Sequence, residues 1–221
     1  MPTAGVRKRK TPASKRAGGR TVRSRLEVDE RRAQLVSLGI DLFASHAYDE
    51  LSVDELARVA GISKGLLYHY FPTKRDFYVA TVREAARQLV ERTEMPAEMP
   101  PEERLRAGLD AYLDYVEAHG PAYASLMRGG VGSDAEVTRV IEDTRTLMCD
   151  RLLRELPSDP SSGPESTPVL RVAVRGWLGF CEATSLEWVE RRAVSKETIR
   201  ALMQEVLIMT VPMAARLGGG K

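Results

Sequence analysis

The side chains best suited to chemistry are crowded into one short stretch. Lys64, Tyr68, His69 and Tyr70 all lie between positions 64 and 70, a length of about two helical turns. So many ammonium, phenol and imidazole tips cannot all enter a core from so short a helix, and they need a partner outside the chain. Tyrosine and histidine donate to phosphate oxygens and lysine neutralises them. A helix starting at Ser63 would aim free backbone N–H groups at the same anion. The chemistry expected here is recognition of a polyanion rather than bond-making. The competing reading makes Tyr68, Tyr70 and Phe71 core aromatics and leaves Lys64 and Lys74 as solvated charges; Phe71 is assigned to the core under either. Catalysis has weaker starting points. A thiol nucleophile would need Cys149 or Cys181 beside His46, His69 or His119, and a lone cysteine on an apolar helix face usually serves as packing. No acid pair, phosphate loop or metal cluster is legible, so no enzyme activity, cofactor or metal is expected.

The elements that must position these tips flank them. Ser52 can cap a short helix in which Val53, Leu56, Ala57 and Ala60 recur at helical spacing, and Gly61 allows the chain to turn sharply. Ser63 then caps a second helix, Lys64 to Tyr70, which ends where Pro72 forces its predecessor out of helical geometry. Thr73 and Lys74 open a third. Helix, tight glycine turn, helix is the layout of a DNA-reading helix-turn-helix.

The run from Arg31 to Phe77, containing LGIDLFASHAYDELSVDELARVAGISKGLLYHYFPTKRDF, closely resembles the N-terminal domain of the TetR (tetracycline-repressor) family of transcriptional regulators. The resemblance is long and ungapped and covers about 47 of 221 residues; beyond it the chain is similar to the family in length and helical character. It implies that Ser63 and Lys64 start the recognition helix, Gly65 and Leu66 face the groove, Tyr68 and His69 touch DNA, and Lys74 grips phosphate. Ser52, the cap of the preceding helix, is grouped with them as DNA-facing. Leu66 stands where the family more often has a small or hydroxylated residue; it can meet a thymine methyl but forms no hydrogen bond to a base.

A length of 221 residues with 43% hydrophobic content supports a sizeable core. Two cysteines far apart in sequence fit neither a zinc pattern nor a disulfide framework and suit a reducing, cytoplasmic setting. The longest mostly apolar run, Val206 to Ala215, contains Thr210 and Pro212 and is about half a membrane span. No membrane association and no signal peptide are expected. Residues 1–26 carry nine Lys or Arg and no acid. Because the whole chain is only +2, subtracting this +9 leaves residues 27–221 at −7. Such an arm, expected to be disordered through residue 28, either tracks DNA or serves as a solubility tail.

Periodicity organises the rest into an all-helical fold of about nine helices, with no strand pattern. A first helix, Asp29 to His46, places Leu35, Leu38, Leu42 and Phe43 inward. A longer helix, Thr73 to Arg92, links residues 29–76, the helix-turn-helix domain, to residues 77–221. The proline-rich segment 96–101 is a connector, followed by a helix carrying Leu105, Leu109, Tyr112 and Val116. A short helix through Tyr123 and Met127 comes next, and then a GGVGS loop. The helix Asp134 to Leu156 places Val137, Val140, Ile141, Thr144, Leu147, Met148 and Leu152 inward. A polar loop at 157–168 precedes a helix with two apolar stripes. One contains Val174, Trp177, Cys181 and Trp188; the other, Val172, Gly176, Gly179, Ala183 and Leu186, is mostly small. A last helix from Lys196 carries Ile199, Leu202, Met203, Met209 and Met213 and should kink or stop near Pro212.

Helix-turn-helix proteins commonly pair to read two half-sites, and the last two helices can supply that pairing as a four-helix bundle with their twins; intrachain packing is the other use for the small stripe. The expected function is a repressor acting as a homodimer on a palindromic duplex and released by a small-molecule effector, with an activator or effector-independent regulator as the alternative. The family resemblance implies an effector pocket within the C-terminal helices. Tyr112, Tyr115, Tyr123, Met127, Met148, Trp177 and Cys181 are its candidate lining, and Glu182 is placed to orient a cationic or hydroxyl-bearing ligand unless it is exposed or paired.

Overall fold

The computed structural model describes residues 18–46, 48–127, 134–156 and 166–218, with side chains described from residue 28 on except at 166 and 167. Among these residues there are nine α-helices and no strand: α1 Gly18–Ser45, α2 Val53–Val59, α3 Lys64–Tyr70, α4 Lys74–Arg92, α5 Pro101–Ala118, α6 Gly120–Met127, α7 Ala135–Glu155, α8 Ser166–Arg191 and α9 Lys196–Gly218, plus one 3-10 turn at Tyr48–Glu50. The chain divides into two units, residues 1–35 and residues 36–221. The first, where described, is the helical stretch from Gly18; all packing described below lies in the second.

Two expectations about the first helix are corrected. It begins at Gly18 instead of Asp29, so residues 18–28 of the expected disordered arm are helical. Once a helix is nucleated each added residue costs little, and no proline stands between Gly18 and Ser45 to stop it. The arm before Gly18 lies outside the described residues. The inward face within the second unit is also rotated: Phe43 is buried as expected, but Val36 and Ile40 join it while Leu38 and Leu42 are only half-buried; Leu35, the last residue of the first unit, is buried as expected. Gly39 permits this rotation. A Cβ there would stand 2.5 Å from Thr81 Oγ1 and 2.8 Å from the Phe77 ring, so α1 crosses α4 at a point where only hydrogen fits. Gly39→Ala is expected to cost about 1–3 kcal/mol by overpacking; an unchanged thermal midpoint would contradict that close approach.

The connector ends as the prolines dictate, with Pro101 at the first position of α5, where its missing N–H is not needed. The core beyond α4 is built from Leu109, Tyr112, Leu113 and Val116 of α5, Tyr123 of α6, Cys149 of α7, Val174, Trp177, Cys181 and Trp188 of α8, and Ile199, Met203 and Leu207 of α9. Trp177 Nε1 donates to the Met203 carbonyl at 2.8 Å and fastens α8 to α9. Leu147, expected inward, is exposed, and Cys149 takes the buried position; the wall of α7 turns about Val137, Thr144 and Met148 instead. The GGVGS loop and residues 157–165 lie outside the described residues, and α8 begins at Ser166, before the expected end of its preceding loop.

The last helix does not stop at Pro212 but runs through it to Gly218. Proline removes a single N–H bond and lies on the solvent side, while buried Leu207 and Ala214 on either side hold the helix in place. Uninterrupted, α9 is, among the described helices, the one long and apolar enough by composition to cross a membrane. Its outward apolar residues Leu202, Met209 and Met213 recur at seven and four residues, one stripe of a helix. The N-terminal part of the small stripe of α8 is likewise uncovered within the chain: Val172 is 73% exposed, and a Cβ at Gly176 or Gly179 would meet nothing, whereas Leu186 packs against the core.

Candidate DNA interface and effector cavity

The helix-turn-helix is assembled from local hydrogen bonds that the sequence specifies. Ser52 Oγ accepts from the Glu55 N–H at 3.1 Å and starts α2. At its end Ile62 N–H reaches the Ala57 carbonyl and Gly61 N–H the Arg58 carbonyl, with Gly61 at φ +64°. That pair of bonds requires a left-handed residue between them, which glycine adopts without strain. Ser63 Oγ then accepts from Leu66 N–H at 3.2 Å and starts α3. Thr73 and Asp76 cap α4 reciprocally, side chain to backbone in each direction.

Of the residues in α3, Leu67 alone is buried. Phe71 follows it into the core and meets Phe77 edge-on at 4.9 Å between ring centres. Lys64, Gly65, Leu66, Tyr68 and His69 therefore stand together on the open side, with Ser52 and Ser63 also exposed, and Tyr70 is half-buried. A side chain added at Gly65 would meet nothing, so the protein's own packing does not demand glycine there. Lys64 Nζ is 2.8 Å from Asp54 Oδ2, and this hydrogen bond holds its pKa above the usual lysine value. Both partners are exposed, so the pair is weak and exchangeable. Lys74 is held more firmly than a solvated lysine: its ammonium donates to the Tyr48 carbonyl and lies 4.0 Å over the Tyr48 ring. An ammonium has three N–H donors, so this contact aims the group and leaves capacity for a further acceptor.

A cavity of about 180 Å³ lies among α1, α4, α5, α6, α7 and α8. Tyr112, Tyr115, Tyr123, Met127, Met148, Trp177, Cys181 and Glu182 all line it, so the structure brings the eight candidates around one space. The wall is largely apolar, with two polar groupings. At one, Arg145 binds Glu182 through Nε and Nη2 at 2.8 and 2.6 Å and reaches Glu142 through Nη1 at 2.5 Å. Glu182 is thus a paired carboxylate, the alternative allowed for it. At the other, Arg151 donates to the Val90 carbonyl and to Thr93 Oγ1, and burial lowers its pKa. Burial also pushes the Cys181 thiol up, which keeps it neutral and unsuited to nucleophilic work.

A crystal structure of a tetR-family regulator from Streptomyces coelicolor is 30% identical, with a TM-score of 0.75 over 86% of this chain and 83% of that one. The family described as bacterial regulatory proteins, tetR family, matches residues 35–81, and tetracyclin repressor-like, C-terminal domain, matches residues 101–210. The chain belongs to the TetR family of transcriptional regulators. It is a DNA-binding regulator with a helix-turn-helix. Two further relatives are the HTH-type transcriptional activator FasR of Mycolicibacterium smegmatis and the HTH-type transcriptional repressor KstR of Rhodococcus jostii. The first is 27% identical over 89% of this chain and 88% of its own; the second is 23% identical over 78% and 79%. Membership of the TetR family therefore carries regulation of either sign.

Several residues of this TetR-family chain are not legible in the sequence because their partners lie far away along it. Tyr48 packs on Phe43 and Tyr78, lines the cavity and holds Lys74; its one signal is an aromatic within the polar exit of the first helix. Arg75 reaches Asp134, and Arg145 reaches Glu182, with no periodicity to announce either. Buried phenols give a measurable consequence. Burial pushes Tyr78, Tyr115 and Tyr123 to about 12, above the ordinary value of 10.0. Their folded-state pKa is raised, so the stability they contribute is complete below pH 10 and is lost as pH rises toward 12. Tyrosinate absorbance from these groups should appear together with loss of helical circular dichroism. Full ionisation near pH 10 with the helices intact would contradict their burial.

Proposed function

We propose that this regulator is a cytoplasmic homodimeric repressor that binds a palindromic operator through α3 and is released by a small effector with an apolar body. Residues 29–76 form the DNA-binding part and residues 77–221 the effector-binding and dimerisation part. The observation that carries the reading is the face of α3, where Leu67 anchors the helix and every group able to contact DNA stands on the other side. Ser63, Lys64, Gly65, Leu66, Tyr68 and His69 form the groove-facing set, with Ser52 and Lys74 on the flanking phosphates. A dimer is supported by the two uncovered stripes, small on α8 and apolar on α9, which a twin copy would cover in an isologous four-helix bundle. The effector site is the cavity, through the eight residues named above. An activator is the second reading, favoured by the Mycolicibacterium smegmatis relative, which is named one.

The experiment is salt dependence of duplex binding. Lys74→Ala should weaken binding to all sequences alike and lower the log–log salt slope by roughly 0.9, the share of a single neutralised phosphate. Because Lys74 also holds Tyr48, thermal melting is measured alongside. An unchanged slope with a lowered midpoint would make Lys74 a structural lysine only. Deleting residues 1–17, which carry six of the nine basic charges in the arm, lowers the slope further if the arm reaches DNA, and leaves it alone if the arm is a passive tail.

The switch can act only through the spacing of two recognition helices, since a cavity ligand touches no base. α4 is its lever: it starts at the phosphate contact of Lys74, and Tyr78, Val82, Ala86 and Leu89 along it line the cavity. The N-terminus of α7 is tied to the lever's first turns, with Arg75 bridging Asp134 and both Arg75 and Arg83 bridging Glu136.

A further inference from the structure

Two phenols of the cavity wall, Tyr112 and Tyr123, form with the serine hydroxyl buried behind them a chain whose direction is fixed by a carbonyl. Ser185 is fully buried, and its Oγ lies 3.0 Å from the Glu182 backbone carbonyl. A carbonyl carries no proton, so the serine proton must lie in that contact. Ser185 can then only accept from Tyr112, whose oxygen is 2.8 Å away. Tyr112 thereby commits its single proton, and the 2.8 Å contact between the two phenols must be donated by Tyr123. Every hydroxyl proton in the chain is used internally. What remains at its end is the lone pairs of Tyr123.

The neighbouring groups do not reverse this polarity. Burial pushes both phenols above their ordinary value, so neither is ionised near neutral pH. Arg145, the cation near Tyr123, has Nε and Nη2 on Glu182, Nη1 on Glu142 and Nη2 also towards Met127 Sδ, so four of its five N–H groups are turned to these partners. An acceptor group entering here would set an oxygen against an oxygen with no proton between them, which leaves both unsatisfied in a dry wall.

We propose that the Tyr123–Tyr112–Ser185 chain makes this part of the cavity a donor-selective subsite, and that the effector carries a hydroxyl or N–H that donates to Tyr123 Oη, joined to an apolar body. This rests on the reading of the cavity as the effector site. Molecules of equal size that end in a carbonyl are disfavoured.

The test uses n-octanol, methyl n-hexyl ketone and n-octane, titrated into the full chain and read by tryptophan fluorescence, since Trp177 is in the cavity wall. The wild-type protein should favour the alcohol over the ketone by up to about tenfold, the net value of one hydrogen bond. Tyr123→Phe removes the acceptor and should bring the two affinities together. Tyr112→Phe is the more telling variant: it takes away the oxygen to which Tyr123 donates and frees the Tyr123 proton, so the ketone should gain several-fold and the ratio should fall or invert. A purely packing role would leave the ratio unmoved in both variants, each checked for an unchanged thermal melt. Equal binding of alcohol and ketone to the wild-type protein, with octane also bound, overturns the donor subsite and leaves the cavity reading standing. No binding of any of the three overturns both.

Discussion

Met209→Arg is expected to leave the proposed dimer as a monomer and to lower operator affinity by about a hundredfold or more. Met209 is 64% exposed and lies on the α9 stripe with Leu202 and Met213, the surface a twin copy would cover. In a two-fold interface a substitution occurs twice, so two guanidinium groups would enter one apolar seam with no carboxylate supplied to either. The single chain has no such difficulty, because the arginine stays in water. The fold of the monomer should therefore survive while the pairing fails. Without a partner each chain holds one half-site, and the gain from linking two binding modules, about a hundredfold to ten-thousandfold, disappears. Light scattering and duplex binding on the same sample decide it, with Met209→Leu as the volume-conserving control. A dimer that persists in Met209→Arg would place the interface elsewhere.

Asp134→Asn is expected to weaken the proposed coupling between the cavity and the operator several-fold. In the intact chain Arg75 Nη2 donates to Asp134 Oδ1 at 2.8 Å, and the same carboxylate accepts from the N–H groups of Glu136 and Val137 to cap α7. The carboxylate holds α7 by its first turn and α4 by its second residue, one position from Lys74. Its hydrogen bond with Arg75 holds its pKa below the usual aspartate value. α7 also lines the cavity through Thr144, Arg145 and Met148. A ligand that shifts α7 must therefore shift the start of α4, and a coupling of about 1–3 kcal/mol gives a five- to 150-fold change in operator affinity. Asparagine can still cap the helix but lacks the charge that grips Arg75. Operator affinity without ligand should be little changed, while the ligand-induced change shrinks several-fold. By linkage, operator must weaken ligand binding in the wild-type chain by the same factor. Undiminished coupling in Asp134→Asn would mean that α4 responds to the cavity through its own wall residues alone. Trp177→Phe is a milder cavity probe than Trp177→Ala: both lose the indole N–H bond that ties α8 to α9, but phenylalanine keeps a ring in the core and leaves a smaller void.

What is legible in the sequence is set within a few residues. Ser52, Gly61, Ser63 and Thr73 each act on a backbone group within about four positions, and all four perform the capping or turning that their types suggest. The cavity lining is legible as residue types, since large aromatics and methionines at helical spacing end up between helices. The face of α1 is misjudged from sequence because leucine count outweighs the glycine that sets the crossing point. Of the kink or stop expected at Pro212, the stop does not occur, because one missing hydrogen bond is outweighed by packing on both sides. The ties from Arg75 to Asp134, Arg145 to Glu182 and Tyr112 to Ser185 span 59, 37 and 73 positions. Only the tertiary arrangement brings such pairs together, and no period in the chain encodes them.

Everything proposed for operator binding depends on two copies of α3 reading one duplex in two-fold symmetry. Repeated selection of bound sequences from a random duplex library by the full-length protein examines that arrangement without assuming an operator. The expected product is an inverted repeat whose half-site centres are about 10 to 10.5 base pairs apart or a multiple of that, matching recognition helices about 34 to 36 Å apart. The enrichment should vanish when Tyr68 and His69 are both replaced by alanine. Enrichment of a single unrepeated half-site, or of no sequence at all, would rule the two-fold reading out.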